Sequence, residues 1–214
     1  MATFKTYRFK PLKALTFWAC LLIVVRLVAL AAYAYCDASQ ALNGTRVDFD
    51  TGLPGGDPFS WFAFGAALLY FVTYLVSGFV SLFWIWGAAR NALALKPGLP
   101  ITPGRAVGWF FIPFANLYKP YQYMRYIWQA SGGFIEKGGE PRQVQGWWIF
   151  TIFGNILAGI ASRLGNAVDG ATWDLGLEAA AFGLLFVGTV LFFNVVRAIH
   201  RLQLTSDTRV AETF

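Results

Sequence analysis

SLFWIWGAARNALALKPGLPITPGRAVGWFFIPFANLYKPYQYMRYIWQAS, residues 81–131, is the stretch around which the chain is organised. It opens on the end of an apolar helix that carries Trp84, Trp86, Arg90 and Asn91. A Pro/Gly linker follows over residues 96–105, and then an apolar run, 106–118, broken by Pro113 and Asn116 and followed by Pro120. A helix needs about 20 apolar residues to cross a bilayer core, so a run this short is expected to be re-entrant or interfacial. Each proline removes a backbone donor, and carbonyls freed at membrane depth need protein or water partners. Asn116 is the nearest side chain to serve. Residues 121–129 then mix aromatic side chains with Arg125 and Gln129, a pattern that suits a helix at headgroup level.

Outward from this stretch lie four longer apolar runs, at 14–35, 59–89, 147–164 and 175–199. The 214 residues are 57% hydrophobic and only 13% charged, against roughly 25% charged in soluble domains. The charges cluster between the runs. The expected fold is therefore all-α and polytopic. It has four transmembrane helices, a re-entrant or interfacial helical element over 106–129, and a short polar tail at 201–214, in a single integral membrane domain. Trp61 near one end of the second run, with Trp84 and Trp86 near the other, matches the aromatic belts of both interfaces. The first run ends in an Ala-Tyr-Ala that loosely mimics a signal-peptide cleavage site, but its length favours a retained span.

Orientation follows from the basic residues. With 106–118 not crossing, one side carries Lys5, Arg8, Lys10, Lys13, Arg90, Lys96, Arg105, Lys119, Arg125, Lys137, Arg142, Arg197, Arg201 and Arg209. The other has Arg46 and Arg163, and Arg26 falls inside the first span. By the positive-inside rule both termini and the central stretch are expected to be cytoplasmic. A crossing at 106–118 would move Lys119, Arg125, Lys137 and Arg142 outside and weaken that bias. The net charge of +6 is thus a topology and anionic-lipid signal, and with no basic helix or finger motif beside it no nucleic-acid partner is expected.

The connecting segment 36–59 is turn-rich and acidic, with Asp37, Asp48, Asp50 and Asp57. Its aspartates miss the spacing of a calcium loop and lack a closing glutamate. Asn43, Gly44 and Thr45 fit a glycosylation triplet, which chance also produces. Cys20 and Cys36 sit on one predicted helix about 24 Å apart, too far to bridge, and behave as small apolar side chains.

No nucleophile elbow, P-loop, zinc helix or cysteine pair is present, so no cofactor, metal or catalytic residue is expected. His200 is the lone histidine, at the predicted end of the fourth span, where a helix dipole favours a cation. The intramembrane polar groups Arg26, Asn116, Asn155, Glu178 and Asn194 are the better candidates. They either bond between helices and hold the bundle together or line a polar path. Arg26, the costliest of them in a bilayer, needs a partner, and Glu178 is one candidate. The small residues Gly154, Ala158 and Gly159 permit close helix packing, within one chain or between copies.

The segments WIWGAARNA (84–92) and TPGRAVGWFFIPFANLYKPYQYMRYIWQAS (102–131) resemble the bacterial membrane family known as domain of unknown function DUF4328. The resemblance covers about 50 residues closely and the flanking spans in hydropathy. It implies a bacterial plasma-membrane protein with several spans, and it brings no reaction with it.

The function expected from these residues is non-enzymatic: a scaffold or regulatory module. Its basic and aromatic cytoplasmic face, Arg90, Arg105, Lys119, Arg125, Trp109 and Trp128, contacts anionic lipid headgroups or a partner protein, and the expected partners are membrane lipids, with a protein partner or a homo-oligomer as alternatives. The alternative is a small channel or transporter whose polar path uses Arg26, Asn116 and Asn155. In that case the break at Pro113 resembles the discontinuous helices of transporters, although the chain shows no inverted repeat.

Overall fold

The computed structural model describes residues 7–43, 58–133, 142–167 and 173–213. Among these there are six α-helices and no strand: α1 (Lys13–Asn43), α2 (Pro58–Leu95), α3 (Pro103–Gly108), α4 (Lys119–Trp128), α5 (Arg142–Ala167) and α6 (Trp173–Thr213). Helices α1, α2, α5 and α6 are long and apolar enough to cross a membrane. The protein is an all-α polytopic membrane protein. The acidic segment with Asp48, Asp50 and Asp57, residues 134–141 with Lys137, and the turn with Asp169 lie outside the described residues.

The apolar runs marked the helices but not their ends. Helix α1 continues past Tyr35 to Asn43, α2 past Ala89 to Leu95, and α6 past Ile199 to Thr213. The physical reason is the same in each case: the continuation is less apolar but carries no helix-breaking proline. No proline or glycine follows Tyr35 until Gly44, none follows Ala89 until Pro97 and Gly98, and none follows Gly188 before the end of α6. Residues 201–213, expected as a polar tail, are therefore helical. At 38 and 41 residues, α2 and α6 are each about 60 Å long at 1.5 Å per residue, roughly twice what a bilayer core requires.

The described chain divides into two compact units. One comprises Met1–Leu21, Gly78–Trp148 and Leu191–Phe214, and the other Leu22–Ser77 and Ile149–Val190. Helices α1, α2, α5 and α6 contribute residues to both.

In the second unit the helices meet through small residues. Cys36, Ala63 and Ala66 form a buried cluster with Ala32 against it, and Ala29, Ala161 and Ala181 are fully enclosed. Gly154 on α5 lets Leu185 of α6 approach so closely that a Cβ there would stand 2.9 Å from the leucine side chain and 3.1 Å from its backbone nitrogen. Gly188 on α6 receives Thr151 in the same way, whereas Gly159 has open space. Large apolar side chains such as Val28, Phe62, Leu68 and Phe71 face outward. Apolar outside and small inside is the arrangement of helices packed in lipid, where close approach replaces the hydrophobic effect as the adhesive.

Candidate functional site

The first unit holds a buried polar network that joins four separate parts of the chain. On the last turns of α2, the Asn91 carboxamide pairs with the backbone of Lys10 on both sides. Its Oδ1 accepts from the Lys10 N–H at 3.0 Å and its Nδ2 donates to the Lys10 carbonyl at 2.8 Å. The same Nδ2 donates to Gln203 Oε1 of α6 at 3.2 Å. Gln203 Nε2 in turn donates to the Ala88 carbonyl at 3.0 Å and to Ser131 Oγ at 3.2 Å. Ser131 Oγ donates to the Ile127 carbonyl and Ser206 Oγ to the Ser131 carbonyl. Nearby, Trp84 Nε1 donates to Thr16 Oγ1 at 3.0 Å. Asn91, Ser131 and Gln203 are each at most 2% exposed. A buried amide left unpaired costs about 1–3 kcal/mol, and here both amides are satisfied.

Beside this network the stretch 101–133 folds as a chain of short elements. Thr102 caps α3, its hydroxyl accepting from the Arg105 N–H, with Pro103 in the first turn. Pro120 likewise occupies the first turn of α4. At that position no donor is missed, so neither proline breaks a helix. Short 3-10 turns follow at Trp109–Phe111 and Ala115–Leu117. Between them Phe114 has φ 61° and ψ −46°, and the Ala115 N–H donates across it to the Pro113 carbonyl at 2.7 Å. This is the strained γ-turn of positive φ, rare for a bulky residue. The carbonyl of Ile112 is taken by the Asn116 N–H and that of Leu117 by Trp148 Nε1 at 2.8 Å. Backbone and tryptophan thus do what Asn116's side chain was expected to do. Asn116 Oδ1 is itself buried without a partner among the described residues.

The result is an outward-facing apolar tip. Phe114 is 88% exposed, and Phe111, Ile112, Leu117 and Tyr118 stand open around it. Helix α4 does the opposite. Its Pro120, Tyr123, Met124 and Ile127 are buried, so the apolar face expected to lie in the headgroup layer is spent on protein packing. The lipid-compatible surface comes before α4, not on it.

The basic face is partly assembled. Lys119 Nζ lies 5.9 Å over the Trp109 ring and donates to Gln122 Oε1, and Trp109 meets Tyr123 edge-on. Arg105 is exposed on α3, while Arg125 and Trp128 are half-buried on α4. Arg90 stacks on Trp86 of its own helix at 4.7 Å. All six predicted face residues belong to the first unit.

Of the predicted polar groups, Arg26, Asn155 and Glu178 belong to the second unit and Asn116 and Asn194 to the first. Arg26 lies 4.6 Å over the Tyr74 ring and bonds Tyr70, so a tyrosine cluster in the second unit receives its charge. Tyr33 stacks on Tyr70, and Glu178 on α6 is half-buried. Asn155 is exposed and donates to the Thr151 carbonyl of its own helix, and Asn194 is exposed. His200 stands 13 residues before the end of α6, too far from the last turn for the helix dipole to account for it. No group of three His, Cys, Asp or Glu side chains able to hold a metal occurs among the described residues.

Sequence reasoning missed Gln203, which it placed in a tail. The signal was present: Phe192, Val195, Val196 and Ile199 make a buried helical stripe, and Gln203 is its next position.

The model of the family described as "Domain of unknown function (DUF4328)" matches residues 57–201. No curated protein and no solved structure matches the chain.

Proposed function

We propose, from the premise that this chain belongs to the DUF4328 family, that it is a non-enzymatic scaffold or regulatory module of the bacterial plasma membrane. Its basic and aromatic face docks on anionic lipid headgroups at the cytoplasmic surface, with both termini on that side. The observation that carries this reading is the strained turn at Phe114. A backbone held at positive φ by a bulky residue needs compensation, and seating Phe114 with Phe111 and Leu117 in the acyl boundary provides it, at about 2 kcal/mol per ring buried. Arg105 and Lys119 flank the apolar tip, where they meet headgroup phosphates.

The test is lipid retention. Arg105→Gln, Lys119→Gln and Arg125→Gln together should lower the anionic lipid that stays with the protein through purification, with thermal stability preserved. Unchanged retention with a folded bundle sinks the reading, and loss of a co-purifying protein instead of lipid would point to a protein partner. Orientation is checked with cysteines placed at Gly104, which has open space, and at exposed Gln143, in a Cys20→Ala, Cys36→Ala background. Both should react with an impermeant thiol reagent from the cytoplasmic side. Labelling from opposite sides would mean that residues 106–118 cross.

A further inference from the structure

A second cationic feature lies in the first unit, built from other residues than the face just described. Lys13, Thr16, Phe17 and Cys20 of α1 and Arg197, His200 and Arg201 of α6 line one cavity of about 250 Å³. The spacing makes each set a single helix face: i, i+3, i+4 and i+7 on α1, and i, i+3 and i+4 on α6. Three of the seven side chains are the basic residues Lys13, Arg197 and Arg201, one is the chain's lone histidine, and none is acidic. Like charges at Arg197 and Arg201, one turn apart, repel, and Lys13 adds to them from the other helix. Among the described residues that line the cavity, none carries a neutralising carboxylate. A bound anion would supply that charge.

The rest of the lining narrows the class. Thr16 Oγ1 accepts from Trp84 Nε1, which leaves its hydroxyl proton to donate. Arg197 packs its guanidinium 5.3 Å over the Phe193 ring, an arrangement that leaves the planar edge of the fork for oxygens. Planar forks favour phosphate and carboxylate alike, but three basic side chains favour the higher charge of a phosphate monoester, about −1.5 to −2 near neutral pH, over the single charge of a carboxylate. Phe17, 61% exposed, and Cys20 form an apolar wall on a helix that crosses the bilayer. A volume of this size is below the range for a drug-sized molecule and fits a headgroup whose chains lie outside, along Phe17 and Trp18.

We infer that the cavity between the Lys13–Cys20 face of α1 and the Arg197–Arg201 face of α6 binds a phosphate monoester carried on a lipid. It shares no residue with the docking face around Phe114 and does not rest on that reading.

The test uses the full chain in detergent with three probes: dihexanoyl phosphatidic acid, glycerol 3-phosphate and dihexanoyl phosphatidylcholine. Phosphatidic acid should bind at least about tenfold tighter than phosphatidylcholine, as one lost charge-assisted contact is worth about a factor of ten or more. Lys13→Gln, Arg197→Gln and Arg201→Gln together should abolish that preference, while the Arg105, Lys119 and Arg125 triple variant keeps it. Equal binding of glycerol 3-phosphate would keep the phosphate site and make the ligand soluble. Phosphatidic acid no better than phosphatidylcholine, or an undiminished preference in the cavity variant, overturns the inference. A measurement independent of the charge variants uses Cys20 in a Cys36→Ala protein. Phosphatidic acid should slow its alkylation, and an unchanged rate alongside measured binding would place the lipid elsewhere and also overturn it.

Discussion

Asn91 and Gln203, 112 positions apart on α2 and α6, meet through a 3.2 Å hydrogen bond from Nδ2 to Oε1, and between them they fix two other segments. Asn91 reads the Lys10 peptide from both its donor and its acceptor side. Gln203 reaches the Ala88 carbonyl and the Ser131 hydroxyl. Gln203→Leu deletes three bonds at roughly 1 kcal/mol each, so unfolding should become easier by about 2–3 kcal/mol. Ser206→Ala, which deletes one, should cost about 1 kcal/mol. Thermal unfolding in detergent measures both, and equal effects of the two variants would deny the network its central member.

Asn91→Leu separates the two halves of that network. It leaves the Lys10 N–H and carbonyl without their side-chain partner, so residues 7–12 should loosen from the end of α2. Hydrogen exchange at the Lys10 amide should rise in Asn91→Leu and stay slow in Gln203→Leu. Protection of Lys10 in both variants would mean that the segment is held by something other than the carboxamide.

The α5–α6 contact makes a prediction about two glycines only five positions apart. Alanine at Gly154 must displace Leu185, including its backbone nitrogen at 3.1 Å, and overpacking of this kind costs about 1–3 kcal/mol. Alanine at Gly159 meets nothing within 4 Å and gains helix propensity of up to about 1 kcal/mol. The two substitutions should therefore move the melting temperature in opposite directions. A matched loss at both would mean that Gly159 also packs closely, against a second copy of the chain.

How much of this was legible in the sequence depends on the kind of signal. The spans were, because apolar length is set by the bilayer, and so was the failure of residues 106–118 to form a helix of spanning length. The helix ends were not. Hydropathy falls at Tyr35 and Ile199, but the backbone stays helical through Asp37 and Gln203, which were read as loop and tail. The burial of one face of α4 was not legible either. Its amphipathic pattern, Pro120, Tyr123, Met124 and Ile127 against Lys119, Gln122 and Arg125, suits a headgroup layer and a protein interior equally, and only packing distinguishes them. Among the predicted polar groups, Arg26 shows a pattern that residue type alone hides. It lies over the Tyr74 ring and bonds Tyr70, contacts that a search for opposite charges passes over.

Phe114 gives the sharpest separation of fold from function. Its φ of 61° costs about 1–3 kcal/mol for a residue with a Cβ, and glycine adopts that region freely. Phe114→Gly should therefore leave the melting temperature unchanged or raise it. Phe114→Ala, which keeps the strain and makes no core contact at 88% exposure, should leave it nearly unchanged. Both substitutions remove the ring, and both should raise hydrogen exchange across residues 112–118 in nanodiscs containing anionic lipid, where the wild-type tip is covered. In detergent, Trp148→Phe should raise exchange in the same segment by a different route, freeing the Leu117 carbonyl it now holds, while exchange in α6 stays as it was. If wild-type residues 112–118 exchange as fast in anionic nanodiscs as Phe114→Ala does, the tip is not seated in lipid, and the strain at Phe114 has some other compensation.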